Sequence, residues 1–179
     1  MGPMKRRTFI QALGLALAGW IGPPQARGAE EKVGADASDA GVDRLEKPLS
    51  AWREILEPRR FAVLFEEDTE RSYSSPLNNE KRSGTYICAA CFLPLFESKT
   101  KYDSHTGWPS FWAPIEGRVA SKTDYRLLFP RTEYHCARCA GHQGHVFSDG
   151  PPPTGKRWCN NGLALEFVPS DKPLPELRS

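Results

Sequence analysis

Five cysteines are the residues of this 179-residue sequence whose chemistry stands out. Four form two C-x-x-C pairs, Cys88 with Cys91 and Cys136 with Cys139, and the fifth, Cys159, has no such partner. Two C-x-x-C turns together supply four thiolates in a tetrahedron, which is the ligand set of a structural Zn²⁺ ion. We predict that this zinc stabilises the fold, because four thiolates leave no open position for a substrate. Two local disulfides, a redox-active C-x-x-C or an iron–sulfur cluster are the alternatives.

Cys159 is the candidate nucleophile. A cysteine reacts as its thiolate, and an unperturbed thiol of pKa ~8.5 is only slightly ionised near neutral pH. Arg157 and Asn161 lie two residues before and after it, a spacing at which side chains of an extended chain share a face. A turn over residues 150–155 joins Cys159 to further polar candidates, which are His142, His145 and Asp149. Such sets serve thiol catalysis, but a buried, inert cysteine beside polar strand residues fits the same pattern.

Composition limits the classes of protein to consider. The 24 basic and 22 acidic residues leave a net charge of +2, so no large field would attract nucleic acid. The length suits one domain with a compact core, and 16 prolines with a mean hydropathy of −0.53 indicate many loops. We therefore predict a single domain without a nucleic-acid partner.

Residues 1–29 have the pattern of an export signal. A basic segment at residues 5–7 precedes an apolar run over 12–21, and small residues follow at 26–29. The run is shorter than the ~20 residues that span a bilayer, so we predict no permanent membrane anchor. Arg6-Arg7 resembles the twin-arginine signal, which predicts a periplasmic or secreted protein exported in its folded form. An amphipathic or anchoring N-terminal helix is the alternative.

The rest of the chain reads as a polar linker, one domain and a short tail. Residues 30–47 have too few large apolar side chains to order themselves, so we predict a linker there, a domain over 48–170 and a tail over 171–179. Ser50 is expected to cap the first of two short helices, with Pro58 at their boundary. Their apolar positions are Trp52, Ile55 and Leu56, then Phe61, Leu64 and Phe65.

Short apolar segments separated by turns follow these helices. They predict strands at residues 84–87, 93–96, 102–112, 125–129 and 163–168. Strands of this length and spacing are typical of an antiparallel β domain. The predicted fold class is therefore mainly β, with short N-terminal helices.

A series of motifs resembles those of the methionine-R-sulfoxide reductases, the B-type enzymes. They are G-T-Y-x-C-x-x-C at 84–91, G-W-P-S-F at 107–111, R-T-E-x-x-C-x-x-C at 131–139, G-H-x-G-H-V-F-x-D-G-P at 141–151, P-T-G-x-R-x-C-x-N at 153–161 and L-x-F at 165–167. The helical region 49–67 also resembles the N-terminal arm of this family. So many separate motifs in one order make a chance match implausible.

The resemblance implies a fold, a metal and a set of site residues. The fold is two antiparallel β-sheets with N-terminal helices, stapled by a structural zinc away from the active site. Cys159 is the implied nucleophile, Trp108 the wall against the substrate's methyl group, and the four paired cysteines the zinc ligands. An ordinary core tryptophan is the alternative for Trp108. The implied polar active-site residues are His142, His145, Asp149, Arg157 and Asn161.

The resemblance also implies a reaction. Cys159 would attack the sulfur of a methionine-R-sulfoxide while an acid protonates or hydrogen-bonds the sulfoxide oxygen. The products are methionine and a Cys159 sulfenic acid. The implied partners are oxidised proteins or peptides and an external thiol reductant, such as a thioredoxin-like protein.

Two positions depart from the family pattern. Many members carry a resolving cysteine just before G-W-P-S-F, where this chain has His105-Thr106. Since the other four cysteines match zinc positions, we hypothesise a one-cysteine form that an external thiol reduces directly. The second departure is Gly162, where the family usually has serine, so one hydrogen bond is in doubt.

Two other functions compete with this reading. A zinc-dependent carbon–sulfur lyase of related architecture would need a metal open to substrate, whereas two closed C-x-x-C turns are predicted here. A non-enzymatic zinc-ribbon binding module would have no use for Arg157, Cys159 and Asn161.

Overall fold

The computed structural model describes residues 41–125 and 130–179, which form two antiparallel sheets and two short helices. The predicted fold class is confirmed. The predicted signal, most of the linker and residues 126–129 lie outside these ranges. No helix within them is long and apolar enough to cross a membrane.

Two short helices, α1 (Leu49–Ile55) and α2 (Pro58–Phe65), form as the sequence predicts. Ser50 does not cap α1, however. The carbonyl of Pro48 accepts the N–H groups of Ala51 and Trp52, so the helix begins ahead of Ser50 and no side chain caps it. Pro58 opens α2, and the carboxylate of Glu57 caps that helix by accepting the N–H of Arg60.

The first sheet has three strands in the order β2-β1-β9. They are β1 (Gly84–Cys88), β2 (Pro94–Glu97) and β9 (Leu165–Pro169). All three fall within or next to apolar segments that predict strands. Thr85 pairs with Glu97 on one side and Val168 on the other, so β1 is the central strand and delivers Cys88 at its end.

The second sheet has six strands in the order β3-β4-β8-β7-β6-β5. Their ranges are β3 (Lys101–Tyr102), β4 (Ser110–Phe111), β5 (Val119–Asp124), β6 (Arg131–Cys136), β7 (His142–Phe147) and β8 (Arg157–Asn160). The predicted strand over 102–112 is therefore wrong except at its two ends. Left-handed backbone at His105 and Gly107 interrupts it.

Strand β5 was not predicted, because its sequence is polar. It lies at the edge of the six-stranded sheet, and Ser121, Lys122 and Thr123 are exposed. A strand with one paired side and a solvated face needs no apolar run to form. The hydrogen-bonded ladder with β6, from Val119–Cys136 to Asp124–Arg131, holds it in place.

Aromatic side chains between the sheets fix which face of β8 looks outward. The ring of Phe96 in β2 stacks on Phe111 in β4 with centroids 4.2 Å apart. Tyr134 in β6 meets Trp158 in β8 edge to face at 4.9 Å. Because successive side chains of a strand point to opposite faces, Cys159 then lies on the face turned away from this core.

Candidate active site and metal centre

Cys159 lies in the middle of a row of polar side chains that crosses the six-stranded sheet. It pairs directly with Ser110 on β4 and with His145 on β7, and His145 pairs in turn with Glu133 on β6. Directly paired residues of antiparallel strands project from the same face. The sheet register thus brings a thiol, a hydroxyl, an imidazole and a carboxylate to one surface.

A glycine lets strand β7 approach the backbone of Cys159. A Cβ atom on Gly144 would lie 1.9 Å from the carbonyl oxygen of Cys159, which no side chain can tolerate. The turn over 150–155 closes the β7–β8 hairpin, with hydrogen bonds from the Gly150 N–H to Gly155 and from the Gly155 N–H to Pro151. The turn thus brings His145 of β7 back opposite Cys159.

Arg157 is the cation nearest to Cys159 along its strand. Its guanidinium donates two hydrogen bonds of 2.9 Å to Asp149, lies 4.2 Å from the ring centre of Phe147 and is close enough to Cys159 to lower the pKa of its thiol. The Arg157 side chain is buried, whereas 62% of the Asp149 side chain is exposed. The hydrogen bonds from Arg157 hold the pKa of Asp149 below its usual value. Asp149 therefore serves to orient Arg157.

Two hydroxyl groups complete the surroundings of the thiol. The side-chain hydroxyls of Thr106 and Ser110 lie near enough to Cys159 to favour its thiolate, and Oγ of Ser104 hydrogen-bonds them at 2.8 and 2.7 Å. Burial raises the pKa of the Cys159 thiol, while Arg157 and the two hydroxyls oppose that shift. Sequence reasoning did not assign roles to Thr106 or Ser110, although both lie in or beside the G-W-P-S-F motif.

The raised pKa of Cys159 predicts how fast an alkylating agent reacts with it. A raised pKa leaves less thiolate at a given pH, so the alkylation profile should have its midpoint above the ordinary value of about 8.5. Arg157→Met should move the midpoint higher still, since Arg157 stabilises the thiolate. Mass spectrometry of the Cys159 peptide after iodoacetamide pulses across the alkaline range measures this. Lys156→Met is the matched control, because that ammonium group binds Ser148; equal midpoints for the two variants would contradict the prediction.

Each of the two histidines is held by a carboxylate. The Nε2 atom of His145 lies 2.9 Å from Asp124, whose carboxylate also accepts a 2.7 Å hydrogen bond from Arg131. Burial lowers the pKa of His145, against the opposing effect of Asp124. His142 is 2% exposed, with Nδ1 2.8 Å from Glu133 and with Nε2 buried and unpartnered among the described residues. The two rings are 5.6 Å apart, but only His145 is directly paired with Cys159.

The side chains of Trp108 and Asn161 form their hydrogen bonds with residues other than Cys159. The indole Nε1 of Trp108 donates to the carbonyl of Glu70 at 3.1 Å. The Asn161 side chain is buried, accepts the N–H of Glu70 at 3.1 Å and donates to the carbonyl of Gln143 at 3.1 Å. Thus the Asn161 side chain ties the chain after Cys159 to β7 and to the N-terminal arm, and among the described residues no hydrogen bond joins it to Cys159.

Gly162 follows Asn161 and is packed against Ser75. A Cβ atom on Gly162 would lie 1.9 Å from Oγ and 2.5 Å from Cβ of Ser75. The Ser75 side chain, which also accepts the N–H of Leu77, therefore fills the space that a serine at position 162 would need. The backbone N–H of Gly162 donates to the carboxylate of Glu70.

Gly162→Ser is accordingly expected to destabilise the protein by about 1–3 kcal/mol through overpacking. Adding Ser75→Gly should recover much of that loss, because it clears both clashing atoms. Urea denaturation of the two single variants and the double variant gives the coupling free energy, which for residues in contact is about 0.5–3 kcal/mol. Additive effects would mean that Ser75 is not the obstacle.

The four paired cysteines form one buried cluster. Their Sγ atoms all lie within 4.8 Å of one another, with 3.6 Å between Cys88 and Cys139 and 3.5 Å between Cys91 and Cys136. Four sulfurs bound tetrahedrally at ~2.3 Å would be about 3.8 Å apart, so the residues fit a metal ion. All five cysteines are free thiols, and the alternative of local disulfides is not seen. Cys159 is not a member of the cluster.

A comparison with known families identifies the chain. The model of the SelR domain matches residues 56–169, which is more than half of the sequence. The protein belongs to the SelR domain family. Members named "Peptide methionine sulfoxide reductase MsrB" include one from Pseudomonas putida strain W619, 49% identical over 131 residues, which are 73% of this chain and 98% of that protein. Another from Pseudomonas savastanoi pv. phaseolicola is 48% identical over 129 residues, 72% of this chain and 98% of the relative.

The matched SelR region contains every predicted site residue. It starts at Leu56, directly after α1, and ends with β9, so it includes both sheets, the cysteine cluster and Cys159. The family predicted from the motifs is therefore confirmed.

Proposed function

We propose that the protein reduces methionine-R-sulfoxide in peptides or proteins to methionine, with Cys159 as the nucleophile. One observation carries the proposal: within a SelR domain, Cys159 lies between Arg157, Ser110 and Thr106 on one side and His145 on the paired strand. Arg157 and the two hydroxyls favour the thiolate, and the imidazole can carry the thiol proton to the sulfoxide oxygen, which are the two needs of sulfoxide reduction.

The reaction balances within these groups. The sulfur of Cys159 attacks the sulfoxide sulfur, the oxygen passes to Cys159, and methionine leaves with a free thioether. Burial keeps Cys159 as a thiol and His145 as a neutral imidazole near neutral pH, so the thiol proton is the one that must reach the sulfoxide oxygen. His145 is paired with Cys159 and is suited to carry that proton, whereas His142 is buried against Glu133.

Trp108 is the proposed wall for the substrate's S-methyl group. Its indole is half-buried and its Nε1 is already hydrogen-bonded to Glu70, which leaves an apolar, polarizable face for the methyl group. A pocket that fixes the methyl group and the oxygen on opposite sides accepts one epimer of the chiral sulfoxide.

The test is incubation with a racemic methionyl sulfoxide peptide and dithiothreitol, with each epimer followed by chromatography. We expect loss of the R epimer and persistence of the S epimer. No loss of the R epimer would overturn the proposal and would favour a zinc-dependent lyase or a binding module.

We also propose a one-cysteine cycle, in which an external thiol reduces the Cys159 sulfenic acid. Two thiols of the reductant become a disulfide, and the oxygen leaves as water. The other four cysteines are buried in the metal cluster, and Thr106 lies against Cys159 where many relatives carry the resolving cysteine. A single turnover without reductant should give a dimedone-reactive Cys159; an internal disulfide would contradict the cycle. Thr106→Cys should create that disulfide.

Zinc is the metal that we propose for the cysteine cluster. Four buried thiolates in two C-x-x-C turns suit Zn²⁺, and closed coordination gives it a structural role. Elemental analysis of the purified protein should find about one zinc per chain; iron in its place would overturn the assignment.

Residues 1–29 are the proposed export signal, and this signal makes the protein periplasmic or secreted. Residues 30–47 are the proposed linker and residues 171–179 the proposed tail. Arg6-Arg7 ahead of the apolar run supports the twin-arginine route. Replacing both arginines by lysine should leave the protein in the cytoplasm, as cell fractionation would report. Export of this variant at the wild-type level would exclude that route.

A further inference from the structure

Glu70 is a buried acidic residue that the motif analysis did not assign to the site. It lies between α2 and the turn of 3-10 helix at Pro76–Asn79, far from Cys159 in sequence, and is only 4% exposed. A buried carboxylate is costly unless its oxygens are hydrogen-bonded. The partners of its hydrogen bonds therefore indicate which parts of the structure Glu70 holds in place.

Four hydrogen bonds join Glu70 to the two sides of the proposed substrate pocket. Its carbonyl accepts from the indole Nε1 of Trp108 at 3.1 Å, and its own N–H donates to Oδ1 of Asn161 at 3.1 Å. Its carboxylate accepts the N–H groups of Gly162 at 2.5 Å and Leu163 at 3.1 Å. One residue thus contacts both the G-W-P-S-F segment and the chain that follows Cys159.

Of these four hydrogen bonds, the two made by the carboxylate are the ones that a substitution of Glu70 can change, because the other two involve its backbone. The two oxygens of the carboxylate accept two successive backbone N–H groups. A glutamine side chain has only one acceptor oxygen, so its NH₂ group would face one of the two N–H groups. Gly162 permits the approach, since Oε1 of Glu70 lies 3.1 Å from the position of its absent Cβ. Burial raises the pKa of Glu70, and the two N–H groups and Arg59 oppose that shift.

We propose that Glu70 is a positioning residue that fixes Trp108 relative to the 161–163 segment and so sets the shape of the methyl-binding pocket. The proposal rests on the proposed role of Trp108 in binding the substrate. Among the residues that the structure describes, no hydrogen bond joins Glu70 to Cys159 or to Arg157, Ser110 and Thr106, which lower the pKa of its thiol. Weakening the hydrogen bonds of the Glu70 carboxylate should therefore change substrate binding without changing the reactivity of the Cys159 thiol.

The test is Glu70→Gln, with Glu66→Gln as the matched control. Glu66 is an exposed neighbour whose carboxylate pairs with Arg53 on the surface. We expect Glu70→Gln to raise KM for the R-sulfoxide peptide about tenfold, the effect of disturbing a charged hydrogen bond, with kcat changed less. The iodoacetamide alkylation rate of Cys159 should stay at the wild-type value, and the control should match the wild type in both measurements.

Hydrogen exchange supplies a readout that a general loss of stability would not reproduce. In Glu70→Gln the indole N–H of Trp108 and the amides of Gly162 and Leu163 should exchange faster, while the indoles of Trp52, Trp112 and Trp158 serve as internal references. Wild-type KM and wild-type exchange at Trp108 would overturn the proposal. A wild-type protein that reduces no R-sulfoxide would instead overturn the proposed function, because the exchange measurement does not depend on activity.

The wild-type protein keeps the proposal testable if Glu70→Gln does not fold. If Glu70 holds both groups, the Trp108 indole N–H and the Gly162 amide should become exposed in the same opening event. Their hydrogen-exchange rates should then show the same dependence on added urea below the unfolding transition. Different urea dependences for the two groups would contradict the proposal.

Discussion

Cys159→Ser is expected to lower the rate of R-sulfoxide reduction by at least about 10⁴-fold, as the loss of a nucleophile does in other enzymes. A serine hydroxyl is far weaker as a nucleophile than a thiolate, and its oxygen cannot accept the sulfoxide oxygen, as a cysteine sulfur does when it becomes a sulfenic acid. Chromatography of the remaining R epimer over time measures the loss. Ser148→Ala is the matched control, since it removes a hydroxyl of the same hairpin that binds Lys156 rather than Cys159.

The same variant should keep its fold and its metal. Cys159 is not a member of the cysteine cluster, and serine replaces it with little change in volume. Circular dichroism and metal content at wild-type values, together with the lost activity, would assign the chemistry to Cys159 alone. Residual reduction well above the uncatalysed rate would place the nucleophile elsewhere, and unchanged function in a binding assay would favour a binding module.

Local spacing was enough to predict the groups that lie close together along the chain. Arg157 and Cys159 share a face because both lie in one strand, and the two cysteines of each C-x-x-C pair lie together because they share one tight turn. The hairpin turn over 150–155 was readable from its glycines and prolines. The fold class follows from the same local signals of short strands separated by turns.

Cross-strand partners could not be predicted in this way. Asp124 reaches His145 and Glu133 reaches His142 only through the register of neighbouring strands, which a single sequence does not fix. Strand β5, which carries Asp124, was missed because an edge strand with a solvated face shows no apolar pattern. Glu70 was missed because its partners at 161–163 are about ninety residues away and mostly backbone N–H groups.

The structure places the four paired cysteines and Cys159 at different positions in the sheets. Cys88 is the last residue of β1, the central strand of the three-stranded sheet, and Cys136 is the last residue of β6 in the six-stranded sheet; Cys91 and Cys139 each follow three residues later. A metal ion bound to all four therefore bridges the two sheets at one end of the core. Cys159 lies on the outer face of the second sheet, where no metal is needed for a thiolate to react.

Removal of that metal is expected to unfold the domain. Metal binding by four thiolates contributes about 10–16 kcal/mol in small zinc domains, which matches or exceeds the 5–15 kcal/mol of net stability of a typical protein. Without the ion, the buried thiolates also repel one another or must take up protons. Thermal denaturation followed by circular dichroism, with and without a chelator, should show a large fall in Tm that zinc restores.

Cys136→Ser should reproduce the effect of the chelator, and its comparison with Cys159→Ser is the sharpest control. Both variants exchange one sulfur for one oxygen, but Cys136 is fully buried in the cluster and Cys159 is not part of it. The first should lose metal, stability and consequently activity, while the second should lose activity alone. A metal-free Cys136→Ser protein with wild-type Tm would mean that the sheets hold together without the ion.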